Sequence, residues 1–191
     1  MNLPNVLTLS RILFAVVLVV LLEERTLAGN VLATVVFALA SLTDFYDGHL
    51  AKARGMISDF GKIMDPVADK ILLLSAFGVL AHIGMVAWWM FDVIAAREVL
   101  VTLSRLMAMR QGRILAAERA GKIKTVAQIV AVSLVLLYLV VERCDFAEAW
   151  FRTVQGLWLW GIYALMIAAV ILTLYSGVDY FANQPKGRRN N

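Results

Sequence analysis

Long apolar segments separated by short polar stretches make up most of this chain. The six segments are Leu7–Leu22, Leu27–Thr43, Pro66–Ile83, Val86–Met107, Thr125–Val141 and Leu157–Tyr175. A helix needs about 17–25 predominantly apolar residues to cross the hydrocarbon core of a bilayer, and these segments lie close to that length. Because 61% of the residues are hydrophobic and only 17% are charged, the composition differs from that of soluble globular domains. We therefore expect an all-α polytopic membrane protein with six transmembrane helices and a short N-terminal interfacial segment.

The distribution of basic residues predicts the orientation of these helices. Lysine and arginine concentrate in Lys52–Lys62, in Arg110–Lys124 and at the C-terminus, whereas the intervening loops, including Cys144–Gln155, carry few. The positive-inside rule then places both termini and the basic stretches in the cytoplasm. We expect one membrane domain over residues 1–183 and a polar cytoplasmic tail over 184–191. The five tryptophans are expected near the outer interface: Trp88, Trp89, Trp150, Trp158 and Trp160.

The composition also excludes several classes of site. A single cysteine, Cys144, rules out an internal disulfide and a multi-cysteine metal site. The two histidines, His49 and His82, are too few and too far apart to indicate zinc on their own. The net charge of +4 resides in particular loops, so it does not indicate a nucleic-acid partner.

Four aspartates flank the stretch between the second and third segments. Asp44 and Asp47 are three residues apart, and Asp65 and Asp69 are four apart, so on helices each pair shares one face. Carboxylates held together repel one another unless cations lie between them, and hard oxygen ligands select Mg²⁺ or Mn²⁺ over zinc. The alternative is a set of solvated helix-end carboxylates balanced by lysines such as Lys70, which explains two carboxylates better than four. We expect a two-metal site at the cytoplasmic rim.

Two glycines within the same run leave room for a substrate. Gly48 follows an aspartate directly and Gly61 precedes the second pair, so a substrate group can approach the backbone at either position. A pair of divalent ions binds phosphate oxygens and stabilises the charge that shifts during phosphoryl transfer. A small membrane cation transporter is the alternative from another class, although transporters more naturally place their acids near the bilayer midplane.

The spacing of the run resembles the signature of the CDP-alcohol phosphotransferases, Asp-x2-Asp-Gly-x2-Ala-Arg-x8-Gly-x3-Asp-x3-Asp. Its positions fall on Asp44, Asp47, Gly48, Ala51, Lys52, Gly61, Asp65 and Asp69. The one departure is Lys52, where the family has arginine. Lysine keeps the positive charge but lacks the planar fork that contacts a diphosphate through two hydrogen bonds.

The resemblance implies a role for each position of the run. The four aspartates would hold two Mg²⁺ or Mn²⁺ ions, and Asp69 would also act as general base on the acceptor hydroxyl. That oxygen would attack the β-phosphorus of a CDP-linked donor and CMP would leave. The donor would lie against Thr8, Gly48, Ala51, Lys52, Ser58 and Gly61. The resemblance also implies a homodimer.

Four further stretches resemble blocks of bacterial phosphatidylglycerophosphate synthases: Pro4–Arg11, Asp65–Lys70, Arg97–Arg105 and Gly121–Thr125. This resemblance implies CDP-diacylglycerol as donor, glycerol 3-phosphate as acceptor and the bacterial inner membrane as location. Phosphatidylglycerol, as in a cardiolipin-type synthase, and inositol phosphate remain alternative acceptors.

Basic residues on the later segments favour an acceptor that carries phosphate. We expect Arg97, Arg105, Lys122 and Lys124 to bind the acceptor phosphate, since a phosphate monoester needs cations. Arg97 and Glu98 lie inside or near the membrane, where a charged residue is a candidate functional site. The alternative is that Arg97 and Glu98 form a structural ion pair and that the lysines only determine topology. A cationic pocket argues against choline and ethanolamine.

Overall fold

The structure, a computed structural model, describes residues 3–54, 59–110, 119–144 and 148–182, with side chains described over 9–43, 70–108, 121–144 and 150–182. The described residues form six α-helices and no strand, which confirms the expected all-α class. The helices are α1 (Leu3–Glu23), α2 (Leu27–Arg54), α3 (Asp59–His82), α4 (Trp88–Arg110), α5 (Arg119–Glu142) and α6 (Glu148–Ala182).

Contacts between helix ends show that the chain runs up and down through the bundle. His82 Nε2, at the end of α3, lies 3.7 Å from Glu23 Oε1, at the end of α1. Near the start of α2, Asn30 Nδ2 donates a 2.8 Å hydrogen bond to the carbonyl oxygen of Leu139, near the end of α5. Helices α1, α3 and α5 therefore run in one direction, and α2 runs against them.

Local sequence signals set two of the turns. Thr26 caps α2, because its Oγ1 accepts a 2.9 Å hydrogen bond from the amide of Gly29. After α3, Gly84 adopts a φ of 84°, a left-handed conformation that favours glycine. The Gly84 amide donates to Ala81 O at 3.1 Å and the Met85 amide to Leu80 O at 2.9 Å, which is the Schellman ending of a helix.

All six helices contribute to one apolar core. Its members, each 2% exposed or less, include Leu18 of α1, Phe37 of α2, Phe77 of α3, Ile94 of α4, Leu136 of α5 and Met166 of α6. Helix α1 packs against α2 and α3, α5 packs against α2 and α6, and α4 packs against α3 and α6. This arrangement brings the middle of α3 and the early turns of α5 beside the middle of α4, where Lys70, Lys124 and Glu98 meet.

The outer surface of the bundle is also apolar. On α1, Leu9, Leu13, Val16 and Val20 recur at helical spacing and are all more than half exposed. Soluble monomers rarely expose apolar stripes of this kind. Within the described residues, two helical stretches, Gly121–Glu142 and Trp150–Ala182, are long and apolar enough to cross a membrane.

The helices extend further than the apolar segments that predicted them. Helix α2 continues from Thr43 to Arg54, and α3 begins at Asp59 instead of Pro66. The aspartates therefore lie within helices, where the apolar pattern alone placed them at segment ends. Hydrophobicity marks the part of a helix that can lie in lipid, and a helix continues into water wherever its residues favour it.

The stretch Cys144–Gln155 was expected to be a loop, and this prediction is wrong for its last eight residues, because α6 begins at Glu148. Phe151 is buried, and its ring centroid lies 5.5 Å from that of Tyr138 on α5. Trp158 joins the same cluster, with its centroid 6.0 Å from that of Tyr138, so it is half-buried. The other four tryptophans are exposed.

Candidate active site

The aspartate run lies on two helices of the bundle. Asp44 and Asp47 belong to α2, and Asp65 and Asp69 belong to α3, so the backbone places the members of each pair about one turn apart. Their side chains lie outside the described ones. Two pairs of carboxylates, each pair on successive turns of its helix, are the residue types that a hard divalent cation prefers, so the metal site stays a prediction. The described side chains elsewhere include no group of three or more His, Cys, Asp or Glu that could hold a metal.

The predicted donor-binding positions follow the same helices. Gly48, Ala51 and Lys52 belong to α2, Gly61 belongs to α3 and Thr8 belongs to α1. Ser58 lies outside the described residues, as do the side chains of the other positions. Their contacts with a nucleotide therefore stay a prediction.

A buried carboxylate on α4, that of Glu98, pairs with three cations from α3, α4 and α5. Glu98 is 1% exposed. Its Oε1 accepts hydrogen bonds from the ammonium of Lys124 on α5 and, at 3.2 Å, from Arg97 Nη1. Its Oε2 lies 2.8 Å from the Lys70 ammonium on α3. We call these four residues the Glu98 cluster.

Arg97 extends the Glu98 cluster to a fourth helix. Its Nη2 donates a 2.8 Å hydrogen bond to Ser176 Oγ on α6. The neighbouring Gly177 makes this approach possible, because a Cβ added there would lie 3.2 Å from Arg97 Cγ and 3.5 Å from Arg97 Nε. Two small residues of α6, Ser176 and Gly177, therefore allow α6 to pack against the long Arg97 side chain of α4.

The formal charges of the cluster do not balance. Among the described side chains at this point, three positive charges meet one negative charge. Lys124 and Glu98 are each 1% exposed and form a pair. Lys70 and Arg97 are therefore the cations that this one carboxylate leaves uncompensated, which is costly where they are partly buried. A structural ion pair would need one cation for one carboxylate. The surplus instead suits a site that receives an anion.

The two other predicted acceptor residues lie outside the Glu98 cluster. Arg105 is eight residues beyond Arg97, about 12 Å along α4, and its guanidinium lies 5.4 Å from the centroid of the Tyr180 ring. Lys122 is exposed, and because it precedes Lys124 by two residues it lies on the other side of α5. The structure thus brings Arg97 and Lys124 together and keeps Arg105 and Lys122 apart from them.

Neutral hydrogen bonds fix α5 to α6 one turn from the cluster. Gln128, four residues after Lys124, donates from Nε2 to Thr173 Oγ1 at 2.9 Å. Thr173 in turn donates to the carbonyl oxygen of Ala169 at 2.6 Å. Both Gln128 and Thr173 are fully buried, so this contact holds the two helices in register beside the charged residues.

An open groove of about 720 Å³ runs between α4 and α6 beside the cluster. Its walls are apolar and include Leu100, Leu174, Val178 and Phe181, all at least half exposed. Arg97 is the charged residue of its lining. The groove therefore connects the apolar outer surface to Arg97 of the Glu98 cluster.

The sequence model of the CDP-alcohol phosphatidyltransferase family matches residues 1–175. The chain belongs to this family. The resemblance read from the aspartate run is thereby confirmed, and family membership favours a transferase over the cation transporter. Members of the CDP-alcohol phosphatidyltransferase family generally depend on a divalent metal, as the predicted role of the aspartates on α2 and α3 requires.

Relatives within the family align with nearly the whole chain. The chain is 36% identical over 194 residues to the CDP-diacylglycerol–glycerol-3-phosphate 3-phosphatidyltransferase of Bacillus subtilis, across 95% of this chain and 94% of that protein. It is 37% identical over 184 residues to a probable phosphatidylglycerophosphate synthase of Mycobacterium tuberculosis, across 95% and 80%. An enzyme of Salmonella choleraesuis with the same name as the Bacillus protein is 30% identical over 187 residues, across 95% and 93%.

Two contacts of the Glu98 cluster were not predicted from the sequence. Lys70 was considered only as a counter-charge to the aspartates, whereas its ammonium pairs with Glu98. Ser176 was not considered, although it accepts a hydrogen bond from Arg97. A signal for the first contact exists, because an acid within an apolar segment requires a cation at the same depth. Nothing comparable marks a serine near the end of an apolar helix.

Proposed function

We propose that this protein transfers the phosphatidyl group of CDP-diacylglycerol to sn-glycerol 3-phosphate, giving phosphatidylglycerophosphate and CMP. The relatives named above support the donor and the acceptor. The observation that carries the acceptor assignment is the Glu98 cluster, in which three cations surround one carboxylate among the described side chains, on helices that include the one carrying Asp69.

The charge of the cluster matches the acceptor phosphate. A phosphate monoester carries about −1.5 to −2 charges near neutral pH, comparable to the formal surplus of two positive charges from Lys70, Arg97 and Lys124 over Glu98. Arg97 and Lys124 are the inner cations of this proposed site, and Arg105 and Lys122 are outer ones. A choline or ethanolamine acceptor carries a positive charge, which these residues would repel.

The four aspartates form the donor side of the proposed reaction. Two Mg²⁺ or Mn²⁺ ions held by Asp44, Asp47, Asp65 and Asp69 would neutralise the diphosphate and stabilise the charge that develops on transfer. Asp69 accepts the proton of the acceptor hydroxyl as its oxygen bonds to the β-phosphorus. The bond between that phosphorus and the CMP oxygen breaks, and CMP departs with the electron pair. Lys52 contacts the donor diphosphate as a point charge.

The proposed setting is the bacterial inner membrane. In this proposal all six helices span the membrane and both termini face the cytoplasm, with the aspartates at the cytoplasmic rim. Residues 1–183 form a single membrane domain. The apolar stripe on α1 and the apolar groove between α4 and α6 support this setting, because the donor is itself a lipid. A homodimer stays a prediction.

The decisive experiment supplies purified protein with CDP-diacylglycerol, Mg²⁺ or Mn²⁺, and labelled glycerol 3-phosphate. We expect one phosphatidylglycerophosphate for each CMP released, and no product when the divalent ion is chelated. CMP release with phosphatidylglycerol or inositol phosphate but not with glycerol 3-phosphate would overturn the acceptor and leave the family assignment intact. Cation flux in liposomes without a nucleotide donor would favour the transporter instead.

A further inference from the structure

The two oxygens of the Glu98 carboxylate serve different helices. Oε1 faces Arg97 and Lys124, the inner cations of the proposed acceptor site on α4 and α5. Oε2 faces Lys70, 2.8 Å away on α3. One buried carboxylate therefore connects the acceptor cations to the helix that carries Asp65 and Asp69.

Lys70, the α3 partner of Glu98, is next in sequence to Asp69, the proposed general base. Their Cα atoms are therefore about 3.8 Å apart. A shift of Lys70 along or around α3 would carry Asp69 with it. The ion pair between Lys70 and Glu98 thus bears on where the base lies relative to the acceptor phosphate.

We propose that Glu98 and Lys70 are positioning residues that set the distance between the acceptor-phosphate cations and Asp69. This inference rests on the proposed function. Glycerol 3-phosphate is short, so the position of its phosphate determines where its attacking hydroxyl lies. When the acceptor-phosphate cations and Asp69 are held at the right separation, the attacking hydroxyl lies within reach of Asp69. When they are not, water takes its place and the donor is hydrolysed to phosphatidic acid and CMP.

A role limited to holding the helices together makes a different prediction. It would lower stability and the amount of active protein, but each surviving molecule would still transfer to glycerol 3-phosphate. The product formed per CMP released therefore separates positioning from packing. Misplacement of reacting groups by about 1 Å costs on the order of 10²-fold in rate, so the effect is measurable.

The test compares Glu98→Gln and Lys70→Met in the full-length purified protein. In both variants we expect the ratio of phosphatidylglycerophosphate to CMP to fall well below one, with the KM for glycerol 3-phosphate raised and the KM for CDP-diacylglycerol unchanged. The double variant is expected to be little worse than the more severe single variant, since both remove one interaction. Lys70→Arg keeps the charge and should restore most of the ratio.

The matched control is Asn30→Leu, which removes the buried hydrogen bond to Leu139 O between α2 and α5. We expect this variant to lose thermal stability and to keep the ratio at one. If Glu98→Gln fails to fold, Lys70→Met still tests the ion pair, because the Lys70 side chain is 28% exposed.

Two outcomes decide the inference separately from the proposed function. A ratio of one in both single variants, with the acceptor KM unchanged, would overturn the positioning role even if the wild type makes phosphatidylglycerophosphate. Wild-type protein that transfers to a different phosphate-bearing acceptor would overturn the proposed function alone, and a lowered ratio with that acceptor would support positioning.

Discussion

The two ends of the bundle bury polar groups in different ways. Around Glu98, α3, α4 and α5 meet through described side chains that carry three positive charges and one negative charge, and Arg97 joins them to Ser176 on α6. Around Tyr138, α5 and α6 meet through rings and hydrogen bonds: the Tyr138 hydroxyl accepts from Gln155 Nε2 at 2.9 Å and donates to Glu142 Oε1 at 3.1 Å. We call these the ionic end and the aromatic end.

This difference indicates which contacts hold the helices together and which are suited to binding a substrate. Both ends join α5 to α6, and the aromatic end does so through described contacts that include no cation, so positive charge is not required merely to hold these helices together. The aromatic end does so with ring contacts and with the two hydrogen bonds of the Tyr138 hydroxyl. The ionic end retains a buried lysine, Lys124, and two partly buried cations at a cost in desolvation, and binding of an anionic substrate there would offset that cost.

The largest effect is expected at the aspartates beside the ionic end. Asp69→Asn should lower turnover by about 10²–10⁴-fold, because the acceptor hydroxyl loses its general base, while CDP-diacylglycerol still binds. CMP release and donor binding measure the two quantities. Asp92→Asn, an exposed carboxylate in the first turns of α4, is the control and should retain activity. Wild-type turnover in Asp69→Asn would remove the base assignment.

A smaller effect is expected from the buried lysine of the ionic end. Lys124→Met should raise the KM for glycerol 3-phosphate about tenfold or more, since a charge-assisted contact to phosphate contributes about 1.5–3 kcal/mol. The KM for CDP-diacylglycerol should not change. Arg143→Met removes an exposed cation near the aromatic end and should leave both constants alone. If the KM for glycerol 3-phosphate is unchanged in Lys124→Met, the Glu98 cluster has a structural role and does not bind the acceptor phosphate.

The contrast between the ends also shows how far the sequence predicts this molecule. Apolar segments predicted six helices, and the spacing from Asp44 to Asp69 predicted the family, because both signals are local. The sequence also indicated Arg97 and Lys124 as a cationic site. It did not reveal that both converge on Glu98 with Lys70, since such a meeting depends on which helices are neighbours.

The aromatic end was missed for a related reason. The residues after Glu148 are too polar to extend an apolar segment, so they were interpreted as a loop. In the structure Phe151 and Gln155 face Tyr138, and this tertiary contact stabilises the first turns of α6. Helix propensity is a weak signal that packing of this kind overrides.

A smaller change again is expected where α6 passes Arg97. In Gly177→Ala the added Cβ would lie 3.2 Å from Arg97 Cγ, so the arginine must shift by a few tenths of an ångström. We expect acceptor KM to rise several-fold, on the order of 1 kcal/mol. Gly161→Ala on the same helix has open space around its Cβ and should leave kinetics unchanged. Equal kinetics in the two variants would show that the ionic end tolerates displacement of Arg97.

The smallest effect on function is expected at the aromatic end. Tyr138→Phe keeps the ring contacts with Phe151 and Trp158 but removes the hydroxyl that joins Gln155 to Glu142. Loss of these hydrogen bonds should lower the free energy of unfolding by about 1–3 kcal/mol, since the Gln155 amide loses a partner. Thermal unfolding in detergent measures this change, and CMP release at the permissive temperature should equal that of the wild type. A fall in turnover without a fall in stability would mean that the aromatic end communicates with the site, and the division between a packing end and a chemical end would no longer hold.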